Sequence, residues 1–373
     1  MKTSFRLFTP GPLNTSDAVR AAMNADLGAR TSTATLLTQH LRHDLAEIAA
    51  CDDAFSVIPL QGSGTFAVEA MLCSFLAEND HVLIAENGAY SQRMAEICRL
   101  HRLHHTVLEG NHALPVDLPA MERELVRLGD VTHIAVVHFE TALGVLNDVQ
   151  GLISLAARHG CRLLVDAVST FGALPLDFTS GNLAAVAASA NKCLHGVPGV
   201  AFVIAERSQL GRRTHPATLS LDLNAQHRAF EVDGQWRFTP PLQVLLALRQ
   251  AIAEFREKGG VAARYGSYQA LASRLIDGLA CIGVVPLVPE AFRAPMITTF
   301  TLVSGARCDM ENLHTLLYEQ GLVIYPSQYS PENAFRIGCI GELQPSDVDR
   351  LIAAMVDLIV LHSPCVGPMH VFD

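Results

Sequence analysis

Val186-Ala-Ala-Ser-Ala-Asn-Lys-Cys-Leu-His-Gly-Val-Pro-Gly-Val200 leads from an apolar run, through one lysine at 192, into a glycine- and proline-rich turn. Upstream, Leu163-Leu-Val-Asp-Ala-Val-Ser-Thr170 places Asp166 at the end of another apolar run. Both runs read as short buried strands bounded by turn residues. A lysine in so apolar a neighbourhood loses its hydration, which disfavours the ammonium and lowers the pKa of the amine. The neutral amine is a nucleophile. Read singly, Asp166 caps a turn and Lys192 is a loop lysine; the pair, with its small flanking residues, asks for a chemical reading.

Working outward from these two strands, strand and helix patterns alternate. His81–Ala85, His104–Leu108 and His133–His138 read as strands, with helices at Tyr90–Arg102, Leu118–Leu128 and Gly151–His159 between them. Phe55–Leu60 and Val200–Ala205 add strands on either side. Continuous Val/Ile/Leu runs alternating with helices imply an α/β fold with a mostly parallel sheet covered on both faces. In such sheets ligands gather at the carboxyl ends of the strands. Ser63, Tyr90, Thr141, Asp166 and Lys192 all follow predicted strand ends.

A Schiff-base lysine needs depressed basicity, and an aspartate closing a buried strand is what keeps a pyridine nitrogen protonated. Together they point to pyridoxal 5′-phosphate. Gln61-Gly-Ser-Gly-Thr65 opens a helix whose free amides favour a phosphate, with the Ser63 and Thr65 hydroxyls beside it. It is neither a P-loop nor a dinucleotide fingerprint, since the lysine of the first and the third glycine of the second are missing. Tyr90 is able to lay its ring against a pyridine, or to serve as a core tyrosine. Arg336, in the apolar Phe335-Arg-Ile-Gly338, needs an anion, either an internal carboxylate or a substrate. Arg30 is the one cation of the polar segment Asp26–Ala34, and Thr9-Pro-Gly-Pro-Leu-Asn-Thr15 is a rigid entry loop.

Composition narrows the functional classes. The 373 residues are half hydrophobic and 17% charged, with mildly positive mean hydropathy, as for a globular chain with a large core and room for a large and a small domain. A net charge of −10 argues against nucleic-acid binding through the overall field. Nine cysteines without a CxxC pair read as reduced thiols of a cytoplasmic chain. The N-terminus lacks the apolar core of a signal peptide, and no stretch is long and apolar enough for a membrane span. His101, His104, His105 and His138 fit no ligand set, so no metal is expected. Beyond Arg207 the composition changes; Leu242–Lys258 reads as a long helix connecting to a smaller α+β region.

Taken in order, Gly-Ser-Gly-Thr, Val-Asp-Ala-Val-Ser, Ser-Ala-Asn-Lys and Phe-Arg-Ile-Gly resemble class V (fold type I) pyridoxal-phosphate enzymes. Leu7-Phe-Thr-Pro-Gly-Pro-Leu13, Asn87-Gly-Ala-Tyr90, Gly196-Val-Pro-Gly199 and Trp236-Arg-Phe-Thr-Pro-Pro241 are most similar to the 2-aminoethylphosphonate:pyruvate transaminase group. The resemblance implies a large cofactor domain over 16–260 with a seven-stranded sheet, and a small domain from 1–15 and 261–373. It implies that Lys192 carries the cofactor and shuttles protons, that Asp166 meets the ring nitrogen and that Tyr90 stacks on the ring. Ser63, Gly64 and Thr65, with Ser189, are expected around the cofactor, Thr141 near the ring hydroxyl, and Thr239 at the phosphate of a neighbouring subunit in a homodimer. Arg336, with Arg30, Asn14 and Thr15, is expected to hold the acidic group of an aminophosphonate substrate.

Three departures from that group fall on substrate-facing loops: Arg30-Thr-Ser-Thr-Ala34, Phe139-Glu-Thr-Ala-Leu-Gly144 and Tyr325-Pro-Ser-Gln328. The second loses two hydroxyls beside the ring and the third a cation. Changed loops around a preserved cofactor set lead to the expectation of a related lyase, (R)-1-hydroxy-2-aminoethylphosphonate ammonia-lyase, giving phosphonoacetaldehyde and ammonia. The transaminase itself is the alternative.

Overall fold

The computed structural model describes residues 5–213, 215–302, 310–326 and 334–361. Seven strands form the main sheet: β1 (Phe55–Gly62), β2 (Val82–Glu86), β3 (His105–Glu109), β4 (His133–Val137), β5 (Arg162–Asp166), β6 (Leu183–Ser189) and β7 (Gly199–Glu206). Their spatial order is β1-β7-β6-β5-β4-β2-β3. The ladder from β6 to β3 is parallel, and β7 alone runs against its two neighbours. Almost every residue of β2, β4, β5 and β6 is buried, because helices cover both faces and leave no side of the sheet for polar alternation. The expected α/β, mostly parallel sheet is therefore present.

Local chemistry sets the helix limits. Asp117, Asp148 and Asp222 each accept a hydrogen bond from the third residue on, starting the helices Leu118–Leu128, Val149–His159 and Leu223–Asp233. The helix at 223–233 and a C-terminal one at Pro345–Leu361 had no counterpart in the sequence reading. The smaller region opens with a long helix, Gly260–Ala280.

A second, antiparallel sheet joins Val284–Pro286, Ile297–Leu302, Ala334–Gly338 and Tyr325–Pro326 in that order. Its core contains Phe300, Phe335, Leu275 and Leu351 and also takes Phe8 from the N-terminal segment. Arg6–Leu7 pairs in parallel with Leu322–Val323, which carries the chain start onto this core. Gly278 allows the helices Gly260–Ala280 and Pro345–Leu361 to approach: a Cβ there would stand 2.5 Å from Ile352 Cδ1. Among the described residues no helix is long and apolar enough to cross a membrane.

Candidate active site

Four parallel strands deliver residues to one crevice at their carboxyl ends. β1 leads into Ser63, the N-cap of helix Gly64–Phe75, whose hydroxyl makes no capping bond. β2 leads into helix Ala89–Leu100, which carries Tyr90 on its first turn. The backbone amide of Tyr90 donates to Glu140 Oε2 at 3.0 Å, while Ala142 N donates to Glu140 Oε1 at 3.1 Å. That fully buried carboxylate ties the start of the Tyr90 helix to the turn after β4, and burial raises its pKa to about 7. β5 ends at Asp166, and β6 ends at Ser189, three residues before Lys192.

Ser63, Gly64, Thr65, Tyr90, Asp166, Ser189 and Lys192 line one cavity of about 190 Å³, together with Arg93, Val168 and Asn191. Seven sequence-predicted residues thus meet in one place. The Lys192 amine donates to Pro10 O at 2.5 Å. Burial pulls its pKa down to about 8; the charge of Arg336 acts the same way and that of Asp166 opposes it. The Asp166 carboxyl is pushed up to about 6 by burial, against its bond from Val168 N (2.9 Å) and the nearby Arg93 and Lys192 charges. At neutral pH the acid is ionised and a minor fraction of the amine is neutral.

Arg93 escaped the sequence reading. Its Nη1 donates to Thr65 Oγ1 at 3.0 Å, and its guanidinium carbon lies 4.9 Å from the centroid of the Tyr90 ring. One signal was available: three positions after Tyr90 on a helix, Arg93 shares its face. The contact of Lys192 with the entry loop had no such signal. Gly11 lies against the Lys192 side chain there with a φ of 141°, a backbone conformation that favours glycine.

A phosphorylated pyridine aldehyde fits these residues. Ser189 Oγ is buried without a hydrogen-bond partner, the free hydroxyl and amides of Ser63–Thr65 face the cavity, and a buried carboxylate and a reactive amine complete the set. Gly64 keeps the helix start close to the Asp166 turn, where a Cβ would press on Val168 at 2.6 Å.

The remaining expectations lie elsewhere. Thr141 does not line this cavity; its carbonyl accepts from Arg336 Nη1 at 3.0 Å. Arg336 is 5% exposed, its other bonds go to Pro326 O (3.2 and 3.1 Å), and it forms no ion pair with a carboxylate among the described residues. The internal-carboxylate alternative for Arg336 is thereby removed there. Asn14 is engaged with Leu7 N at 2.7 Å and Phe5 O at 3.1 Å, which pins the entry loop to the first strand. Thr15 is held by Arg20, and Arg30 bonds Gln235 and Trp236 O. None of these three lines the cavity, because backbone and neighbouring polar groups already occupy them. Thr239 opens on a different cavity of about 410 Å³, with Gly62, Phe66 and Phe238. Ser327 and Gln328 of the third departure lie outside the described residues.

Known proteins resemble this chain over nearly its whole length. The family profile of class V aminotransferases matches residues 15–326. A 2-aminoethylphosphonate–pyruvate transaminase of Burkholderia lata is 39% identical over 354 residues, covering 95% of this chain and 94% of its own. One from Klebsiella pneumoniae is 39% identical over 355 residues, covering 94% and 97%. Among solved structures, an alanine–glyoxylate aminotransferase from Nostoc superposes with a TM-score of 0.87 at 23% identity, over 95% of each chain, which bears on the fold alone. The cofactor is pyridoxal 5′-phosphate, and the chain belongs to the class V aminotransferases.

Proposed function

We propose that this enzyme converts a 2-aminoethylphosphonate-type amine to phosphonoacetaldehyde and passes the amino group to pyruvate, which leaves as alanine. The carrying observation is Arg336: a guanidinium buried to 5% exposure that, among the described residues, hydrogen-bonds only backbone carbonyls and so calls for an anion supplied by the substrate. The names of the relatives support this reading, which was the alternative at the sequence level, over the lyase.

Pyridoxal 5′-phosphate supplies the electron sink that makes a carbon–hydrogen bond next to the amine acidic. Lys192, with a pKa near 8, is suited to take that proton and return it. The ionised Asp166 stabilises positive charge on the ring nitrogen. Tyr90 and Arg93 wall the cavity, and the Ser63–Thr65 helix start with Ser189 offers donors to the phosphate. Arg336 orients the phosphonate. Arg30, Asn14 and Thr15, committed to other bonds, contribute less. Thr239, beside the half-exposed Phe66 and Phe238, serves the cofactor of a second copy, and residues 16–260 and 1–15 with 261–373 form the two domains.

The lyase is kept as a second reading because of Ala142, a buried position in the turn after β4 where the transaminase group carries a hydroxyl. Leu143 supports it less, since that side chain packs with Val145 and Val288. In the Arg30–Ala34 departure Thr31 is committed as the N-cap of helix Ser32–Ala49, which leaves the hydroxyls of Ser32 and Thr33 to assist a departing oxygen. Incubation with 2-aminoethylphosphonate and pyruvate should yield alanine. If it yields none, while the 1-hydroxylated amine alone yields ammonia and phosphonoacetaldehyde, the transaminase proposal is wrong and the lyase stands.

A further inference from the structure

Two arginines are buried among the described residues, Arg336 at 5% and Arg264 at 6% exposure. Like Arg336, Arg264 forms no ion pair with a carboxylate there. Its guanidinium touches the His195 ring, 2.6 Å from Nε2, and lies 5.3 Å from the centroid of Phe255. A guanidinium stays charged at any accessible pH, so its burial without an opposite charge is unfavourable unless something else supplies one.

Arg264 opens on a cavity of about 310 Å³ whose wall includes Lys258, Ser267, Glu342 and Pro345. None of the residues around this cavity borders the one that holds Lys192. Its charges do not balance. Lys258 donates to Glu342 Oε2 at 2.8 Å, and those two cancel. His195 is held neutral by burial, with the Arg264 and Lys258 charges acting the same way. One positive charge, that of Arg264, is left over.

We propose that this cavity is a second anion site, which binds a small oxyanion head group (phosphate, phosphonate or carboxylate) against Arg264. The Ser267 hydroxyl lines the same space. The site sits directly behind the lysine turn. His195 follows Lys192 by three residues, takes a left-handed backbone (φ 61°), accepts from Gly341 N at 3.1 Å and lies 2.6 Å from Tyr268 OH. An anion on Arg264 therefore braces the contact through which the Lys192 turn rests on helix Gly260–Ala280 and on the Gly341 loop. The inference is independent of which amine the enzyme consumes.

Equilibrium dialysis of cofactor-saturated enzyme with labelled inorganic phosphate tests it. The background is Arg336→Met, so that binding in the proposed substrate pocket does not contribute. One saturable site per chain is expected to remain. Arg264→Met should weaken it at least about tenfold, the loss of a charge-assisted contact. Ser267→Trp, which fills the cavity from an exposed position, should do the same even where Arg264→Met folds poorly. Competition by acetate and by methylphosphonate then shows which head group is preferred. Absence of phosphate binding in the Arg336→Met enzyme, or binding undiminished by both cavity variants, would overturn the proposal. Failure of the transaminase assay would leave it standing.

Discussion

Burial governs what the two central residues do, in opposite directions. For Lys192 it removes the hydration that an ammonium needs, and the amine becomes half neutral near pH 8. Capture of pyridoxal 5′-phosphate by the apoprotein requires the neutral amine, so the capture rate should climb with pH through a midpoint near 8, read from the growth of the visible absorption band. For Asp166 burial favours the protonated acid, whose pKa of about 6 stands above the ordinary aspartate value of 3.8. The folded apoprotein then holds more protons than the unfolded chain between those two values, and its stability falls as pH rises through that window. Asp166→Asn should make the apoprotein more stable at pH 7.5, by on the order of 2 kcal/mol, with the gain gone below about pH 4. Urea denaturation at the two pH values measures it. The same variant should lose most turnover, because the ring nitrogen no longer has its carboxylate. Arg336→Met should raise the KM for the aminophosphonate at least tenfold and leave the absorption band of the bound cofactor unchanged.

At the level of elements, short polar signals decide where each helix starts and so where the reactive side chains stand. Asp148 starts the helix Val149–His159, and its Oδ1 accepts from Gly151 N at 2.8 Å. Asp148→Ala should lower stability by about 1 kcal/mol in chemical denaturation and leave cofactor binding intact. The caps themselves were not read from the sequence, which places the helix after Asp148 only from Gly151 and shows no helix after Asp222. The extent of helix Gly260–Ala280 was not legible either. Glycines at 259 and 260 read as a stop, yet both take left-handed φ values, 97° and 72°, and the second helix begins at once. Glu140 stayed hidden for another reason. A glutamate in a predicted loop reads as solvated, and only the fold returns it to the Tyr90 amide fifty positions earlier.

In the whole molecule, the half-exposed Phe66 and Phe238 flank the cavity that holds Thr239, as an assembly surface would. The homodimer expected from the sequence should appear in sedimentation at micromolar concentration. Phe238→Glu should shift it towards monomer and release cofactor, if Thr239 acts on the neighbouring site. A dimeric Phe238→Glu enzyme with unchanged cofactor affinity would remove that assignment.

The strand–helix alternation, the strand ends, Lys192 with Asp166 and the Ser63–Thr65 turn were legible from local properties: apolar runs of strand length, glycine turns, and the chemical character of lysine and aspartate beside them. Ser189, the place of Tyr90 and the seven-stranded sheet came from the resemblance to class V enzymes. Partners distant in sequence needed the fold. Pro10 against Lys192, Thr141 and Pro326 around Arg336, and Arg264 behind His195 are contacts made by backbone oxygens and buried side chains across long separations. No periodicity marks such contacts, because what selects them is the geometry of closing one layer of the protein on another.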